Sequence, residues 1–119
     1  MDNKKNNKID FVEFPVKNVK DLLKTKSFYS NIFRWNYQDW GDDYSDTTES
    51  GVGTGLNADS SHNSNAPLSV IYVGNISETK DKIINSGGKI TKDIFTFPGG
   101  RRFHFVDPAG NELAVWSDK

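Results

Sequence analysis

The apolar positions of this chain change period several times. From Ile9 to Val16, in IDFVEFPV, they alternate, so that Val12, Phe14 and Val16 share one face of a strand ending near Pro15. Asn18 then offers a helix cap, and Val19, Leu22, Leu23, Phe28, Tyr29, Ile32 and Phe33 recur at helical spacing, predicting a helix that ends near Arg34. Three short segments follow, 35–40, 44–50 and 51–57, separated by Gly41-Asp42-Asp43 and by glycines, which read as a meander. The stretch 58–66, ADSSHNSNA, has loop composition, with His62 read as solvated. A second cycle begins at Leu68 with the strand LSVIYV, a helix over about 76–86, the stop Gly87-Gly88, a strand from Lys89 and a hairpin over 99–116, GGRRFHFVDPAGNELAVW.

The two cycles align at one shift. Val16, Asn18 and Val19 correspond to Val73, Asn75 and Ile76, 57 residues later, and at the same shift Gly53 and Leu56 meet Gly110 and Leu113. A duplicated βαβββ unit, hence an α+β fold, is the expectation.

Composition narrows the function. With 119 residues the chain has the length of one domain, read as a flexible tail over 1–8 and a single domain over 9–119. Fifteen basic against sixteen acidic residues give a net charge of −1, with no long basic run after Lys8, so nucleic acid is not an expected partner. Cysteine is absent, which removes disulfides, thiolate metal sites and a cysteine nucleophile. No apolar run reaches membrane-spanning length, and MDNKKNNK lacks a signal-peptide core, so a cytoplasmic protein with no membrane partner is expected.

FVEFPVKNV, SFYSNIFRW, GVGTGL and FHFVDPAGNELAVW, in this order and spacing over residues 9–117, resemble the vicinal oxygen chelate superfamily, the glyoxalase and bleomycin-resistance family. The resemblance implies two βαβββ modules, about 9–57 and 68–117 joined by the loop 58–67, forming a cup-shaped eight-stranded mixed sheet around a cavity, commonly as a homodimer. Arg34 departs from it, because relatives usually carry Gly before the Trp. Metal-using members place a His, Gln or Glu on the first and last strand of each module. Carried onto this chain, those positions fall on Phe11, Asn57, Leu68 and Ala114, a set without the several convergent donors that a divalent ion needs. No metal and no other cofactor is therefore expected.

Strand parity assigns the remaining polar residues. If His104 pairs with Ala114, then Arg102, His104, Glu112 and Trp116 share the cavity face, while Phe103, Phe105, Leu113 and Val115 face the helices. Phe11, Glu13, Leu68, Val70 and Tyr72 join the cavity face from the two first strands. Glu13 could orient His104 as a general base, which makes this pair the candidate catalytic residues; the alternative is that both are hydrogen-bonded wall residues. Arg102 could take a carboxylate or phosphate bidentately or form an ion pair with Glu112, while Arg101 is expected in solvent. Trp35, Tyr37, Trp40 and Tyr44 suit either a stacked ligand or a core, and Gly51, Gly53 and Gly55 suit close strand packing better than a nucleotide loop.

Three functions compete. The first is metal-free binding of a small organic molecule by Phe11, Asn57, Leu68, Tyr72, Arg102, Glu112, Ala114 and Trp116. The second is a glyoxalase-type lyase, isomerase or dioxygenase holding a divalent metal on a non-standard set such as Glu13, His104 and Glu112. The third is a purely structural or partner-binding dimer with a filled cavity.

Overall fold

The computed structural model describes residues 5–61 and 64–119, so His62 lies outside the described residues. The element order is β1 (Lys8–Pro15), α1 (Val19–Phe33), β2 (Gln38–Asp39), β3 (Tyr44–Thr47), β4 (Gly53–Asn57), β5 (Leu68–Tyr72), α2 (Ile76–Asn85), β6 (Lys89–Phe97), β7 (Gly100–Val106) and β8 (Glu112–Ser117). This is the expected α+β pattern of two successive βαβββ cycles. The strands form an eight-stranded mixed sheet in the order β2-β3-β4-β1-β5-β8-β7-β6, with β1–β4 and β5–β8 parallel. Among the described residues no helix is long and apolar enough to cross a membrane. Two compact units divide the chain: Phe11–Leu68, and Ser69–Lys119 together with the segment up to Asp10.

In the first unit, the Asn18 side chain accepts the Asp21 amide at 2.8 Å and starts α1. Arg34 ends it in the left-handed region, at φ 64° and ψ 25°, with its amide on Ser30 O. That conformation costs a non-glycine residue about 1 kcal/mol, which explains why glycine suits this position in the resembling sequences. Val16, Leu22 and Leu56 form the core, with Phe14, Tyr37 and Ala58 packed against them. The apolar stripe read along α1 is corrected here. Leu22 is buried, but Leu23, Phe28, Ile32 and Phe33 are each more than half exposed. The meander is also shorter than expected, because Trp35 does not open a strand; it stacks on Tyr29 and Phe33 instead, at 5.4 and 5.2 Å.

In the second unit, Asn75 caps α2 as Asn18 caps α1, accepting the Glu78 amide at 3.0 Å. The helix closes at Ser86 and Gly87, whose φ is 95°. Val73, Ile76, Phe103, Phe105 and Val115 make the core, joined by Ile71, Ile83, Ile90, Ile94 and Leu113. The hairpin register is the one parity required, with His104 opposite Ala114 and Phe105 opposite Leu113. Two register shifts in β6 then decide what faces what: the second lets Phe95, not Ile94, stand opposite Arg102, while Ile94 packs on the core side. Part of the expected N-terminal tail is hydrogen-bonded. The Asn7 amide donates to Tyr72 O at 2.8 Å, the Gly74 amide donates to Asn6 Oδ1 at 2.8 Å, and β1 starts at Lys8.

The internal repeat holds for the first strands and helix caps and fails at the last strands. Glu13 pairs with Gly55, whereas Val70, its counterpart 57 residues on, pairs with Ala114. The counterpart of Ala114 is therefore Gly55, not Asn57, which pairs with Pro15. A constant shift misses this because the helix-to-last-strand connection differs in length between the cycles.

Two local constraints give direct tests. A Cβ on Gly55 would stand 2.5 Å from the Tyr44 hydroxyl and 2.8 Å from Phe11 Cζ, so only glycine fits beneath those rings. Gly55→Ala is expected to lower the unfolding free energy by about 1–3 kcal/mol in urea titrations, and by less when Tyr44→Phe has removed the hydroxyl. A neutral Gly55→Ala, or strict additivity with Tyr44→Phe, would contradict the packing. In the β7–β8 turn, Asp107 Oδ1 accepts the Ala109 and Asn111 amides, both at 2.9 Å, and Oδ2 accepts from Asn111 Nδ2 at 3.1 Å. The hydrogen bonds from the Asn111 amide and side chain hold the Asp107 carboxyl below its ordinary value of 3.8. A depressed folded-state value means stabilisation present above the unfolded pKa and lost as pH falls through the folded one. Asp107→Asn should thus be less stable than the wild type at neutral pH and show a flatter loss of melting temperature below the ordinary carboxylate range. Parallel acid limbs for the two proteins would refute this.

Candidate functional site

On β1 the pleat sends Phe14 and Val16 to the core and Glu13 to the opposite face, where it is 2% exposed. Its Oε2 accepts from the Tyr44 hydroxyl at 2.8 Å, and its Oε1 accepts from Asn57 Nδ2 at 3.0 Å. The Asn57 orientation is fixed by its other end, because Oδ1 accepts the Asp59 amide at 2.8 Å. Hydrogen bonds of this kind are what allow a carboxyl group to be buried, and deleting either donor would leave it with a desolvation cost of about 1–3 kcal/mol. Phe11 lies against the same place, its ring edge over Gly55. The first unit therefore brings together Phe11, Glu13 and Asn57 from the sequence reading, and adds Tyr44.

The second unit gathers the remaining residues in transverse rows. One row runs Tyr72, Trp116, Arg102, Phe95 across β5, β8, β7 and β6, and the next runs Val70, Ala114, His104, Lys92. The Arg102 guanidinium lies 5.3 Å over the Phe95 ring and Lys92 Nζ 5.8 Å over it, while the His104 ring stands 6.0 Å from the same ring. Trp116 meets Tyr72 edge-on at 5.1 Å and donates its indole N–H to Asp10 at 3.0 Å. The Tyr72 hydroxyl donates to Asp118 at 2.7 Å. Arg101 points the other way, its Nε donating to Lys119 O at 3.1 Å.

Within this unit the carboxylate beside His104 is Glu112. His104 Nδ1 and Glu112 Oε2 are 3.6 Å apart, an ion-pair distance too long for a hydrogen bond, and the same oxygen accepts from the Thr91 hydroxyl at 2.8 Å. His104 is 2% exposed and Arg102 8%, so charge on this face is held away from bulk water. Tyr37, by contrast, belongs to the core of the first unit, where burial and the neighbouring Tyr29 push its hydroxyl pKa up. Trp40 is half exposed, with its indole N–H on Asp46 at 3.0 Å.

The donor set does not fit the divalent metal that the resemblance brings to mind. Phe11, Leu68 and Ala114 carry no donor, Leu68 and Ala114 being at most 1% exposed, and the ladder puts Gly55 in the fourth place. Asn57 spends its amide on Glu13 and Asp59. Among the described residues no group of three or more His, Asp or Glu side chains is placed to hold a metal ion.

Six residues on these faces were not singled out by the sequence reading: Asp10, Thr91, Lys92, Phe95, Phe97 and Asp118. Phe95 and Phe97 had a signal in the alternation of IFTF, but the bulge that sets their face leaves no mark in composition. Asp10 and Asp118 are far apart in sequence and meet the aromatic row only through the fold.

No curated protein matches this sequence. Among solved structures, an NAD-dependent benzaldehyde dehydrogenase from Legionella pneumophila is 20% identical with a TM-score of 0.73, over 92% of this chain and 98% of that one. A glyoxalase/bleomycin resistance protein/dioxygenase superfamily member from Vibrio splendidus 12B01 is 13% identical with a TM-score of 0.68, over 90% and 96%. The Mn(II)-bound glyoxalase from Novosphingobium aromaticivorans is 17% identical with a TM-score of 0.67, over 95% of this chain and 39% of that one. At such identities these likenesses show the fold alone. The family model of the Glyoxalase/Bleomycin resistance protein/Dioxygenase superfamily, however, matches residues 8–115, nearly the whole chain, and the chain belongs to that superfamily.

Proposed function

We propose that this chain binds a small organic molecule, without a metal, on the face of β5, β8, β7 and β6 opposite the α2 core. The observation that carries this reading is the row Tyr72, Trp116, Arg102, Phe95 running beside Ala114. Aromatic faces supply contact area to a flat ligand, and a guanidinium and an imidazole among them supply orientation. At the centre stands the buried methyl group of Ala114, in a place where metal-using relatives carry a donor, so no coordination is offered there.

The metal-dependent alternative has less support. His104 and Glu112 are two adjacent donors, and among the described residues no third His, Asp or Glu is placed with them to hold an ion. Stable binding of a hard or borderline ion calls for three or more convergent donors.

The experiment is a two-dimensional NMR screen of small aromatic compounds in the presence of a chelator, reading the Trp116 indole resonance. At least one compound should shift that resonance, and Trp116→Phe or Arg102→Met should weaken it about tenfold, or about 1.4 kcal/mol. A screen in which compounds shift Trp116 only after a divalent ion is added would overturn the metal-free reading. A screen in which nothing reaches Trp116 would overturn the binding reading itself.

A further inference from the structure

Sequence and burial together make α1 a basic helix with apolar side chains in solvent. Val19, Leu23, Phe28, Ile32 and Phe33 are exposed, the last four by more than half. Lys20, Lys24, Phe28 and Ile32 follow one another at intervals of about one turn, so two exposed lysines continue into two exposed apolar side chains along a single ridge. At the end of the helix Tyr29 stacks on Phe33 at 6.3 Å and Phe33 on Trp35 at 5.2 Å, which fixes the exposed Phe33 ring there. So many large apolar side chains exposed on one helix mark a surface that meets a partner.

The charge around these side chains gives the partner's chemistry. From residue 17 to 34 the exposed charged side chains are Lys17, Lys20, Lys24 and Arg34, all of them basic. Asp21, the acidic residue of this stretch, is half-buried, and Lys26 is paired with Asp39 at 2.6 Å. Glu49, which accepts the Asn36 amide at 2.6 Å, lies past the far end of the helix from Lys20 and Lys24. On a chain whose net charge is −1, positive charge is thus gathered on the helix that exposes the apolar residues. A nucleic acid would engage the lysines and leave Leu23 and Ile32 in water, since neither stacks on a base. A protein that wraps around a basic helix needs it free on all sides, whereas Leu22 is 2% exposed in the core with Val16 and Leu56. An anionic lipid surface meets both halves of the pattern, with headgroups for the lysines and an acyl boundary for the apolar side chains.

We propose that α1 is a peripheral membrane contact that lies along an anionic lipid bilayer. Lys20 and Lys24 meet the headgroups, and Phe28 and Ile32 enter the boundary between headgroups and acyl chains. The expectation of no membrane partner rests on spanning length, which does not bear on a helix lying in the plane of the surface. The contact belongs to the first unit and does not depend on the ligand reading above.

Co-sedimentation of the full chain with lipid vesicles tests it. Phosphatidylcholine vesicles containing about one-third phosphatidylserine should pellet the protein at low ionic strength, pure phosphatidylcholine should not, and rising salt should weaken the binding. Lys20→Glu combined with Lys24→Glu should weaken it about tenfold, and so should Phe28→Ser combined with Ile32→Ser. Circular dichroism and thermal melts should be unchanged in both, because all four side chains are exposed. The chain has no cysteine, so Asn31→Cys takes a single polarity-sensitive fluorophore, whose emission should move to the blue on the anionic vesicles. A chain that stays in the supernatant with anionic vesicles overturns the proposal, which is the result expected if a second copy or an acidic protein covers the helix instead. Binding that survives the double serine variant, or that a single-stranded oligonucleotide reproduces with equal affinity, overturns it as well.

Discussion

Successive residues of a strand point to opposite faces, so the single register that sets His104 opposite Ala114 decides the character of half the molecule. With that register, Phe103, Phe105, Leu113 and Val115 fall together against Ile76 and Ile83 of α2, and Arg102, His104, Glu112 and Trp116 fall together on the other side. A slip of one residue would set the arginine and histidine among isoleucines and take the phenylalanines out of the α2 core. Neither is tolerable, because an unpaired buried charge and a lost aromatic side chain each cost several kcal/mol. The DPAGN turn fixes the register from its closed end. Asp107 gathers three hydrogen bonds from Ala109 and Asn111, and Gly110 takes the positive φ of 94° that a side chain would resist.

The same logic shapes the first unit, with a different result. Glu13 occupies the place in β1 that Val70 occupies in β5, opposite a glycine instead of an alanine. The missing methyl admits the Tyr44 hydroxyl and the Phe11 edge, and the hydroxyl in turn satisfies the carboxylate. Two copies of one module have thus filled equivalent positions differently. In one module a tyrosine hydroxyl and an asparagine amide donate to the buried Glu13, and in the other Lys92 and Arg102 lie over the Phe95 ring.

Element types were readable from the sequence because they rest on local chemistry. Asn18 and Asn75 cap helices wherever they precede a helical period, and Gly87 and Gly110 stop elements through φ alone. The hairpin face was readable from alternation. What the sequence did not reveal depends on distant contacts. The exposure of Phe28, Ile32 and Phe33 cannot be told from an apolar period, which reports only that a face is apolar and not that something covers it. The pairing of Glu13 with Tyr44 and Asn57, and of His104 with Glu112, turns on ladder registers, and the offset between the repeats at their last strands hid the equivalence of Gly55 and Ala114.

The central claim is that the rows around Ala114 act by contact and not through a coordinated ion. Elemental analysis of the natively purified protein, joined to thermal-shift titrations with Mg²⁺, Mn²⁺, Fe²⁺, Co²⁺, Ni²⁺ and Zn²⁺, tests it most directly, since an ion bound to the folded state raises the melting temperature. The account predicts no stoichiometric metal and no upward shift. A stoichiometric ion that disappears in His104→Ala would contradict it.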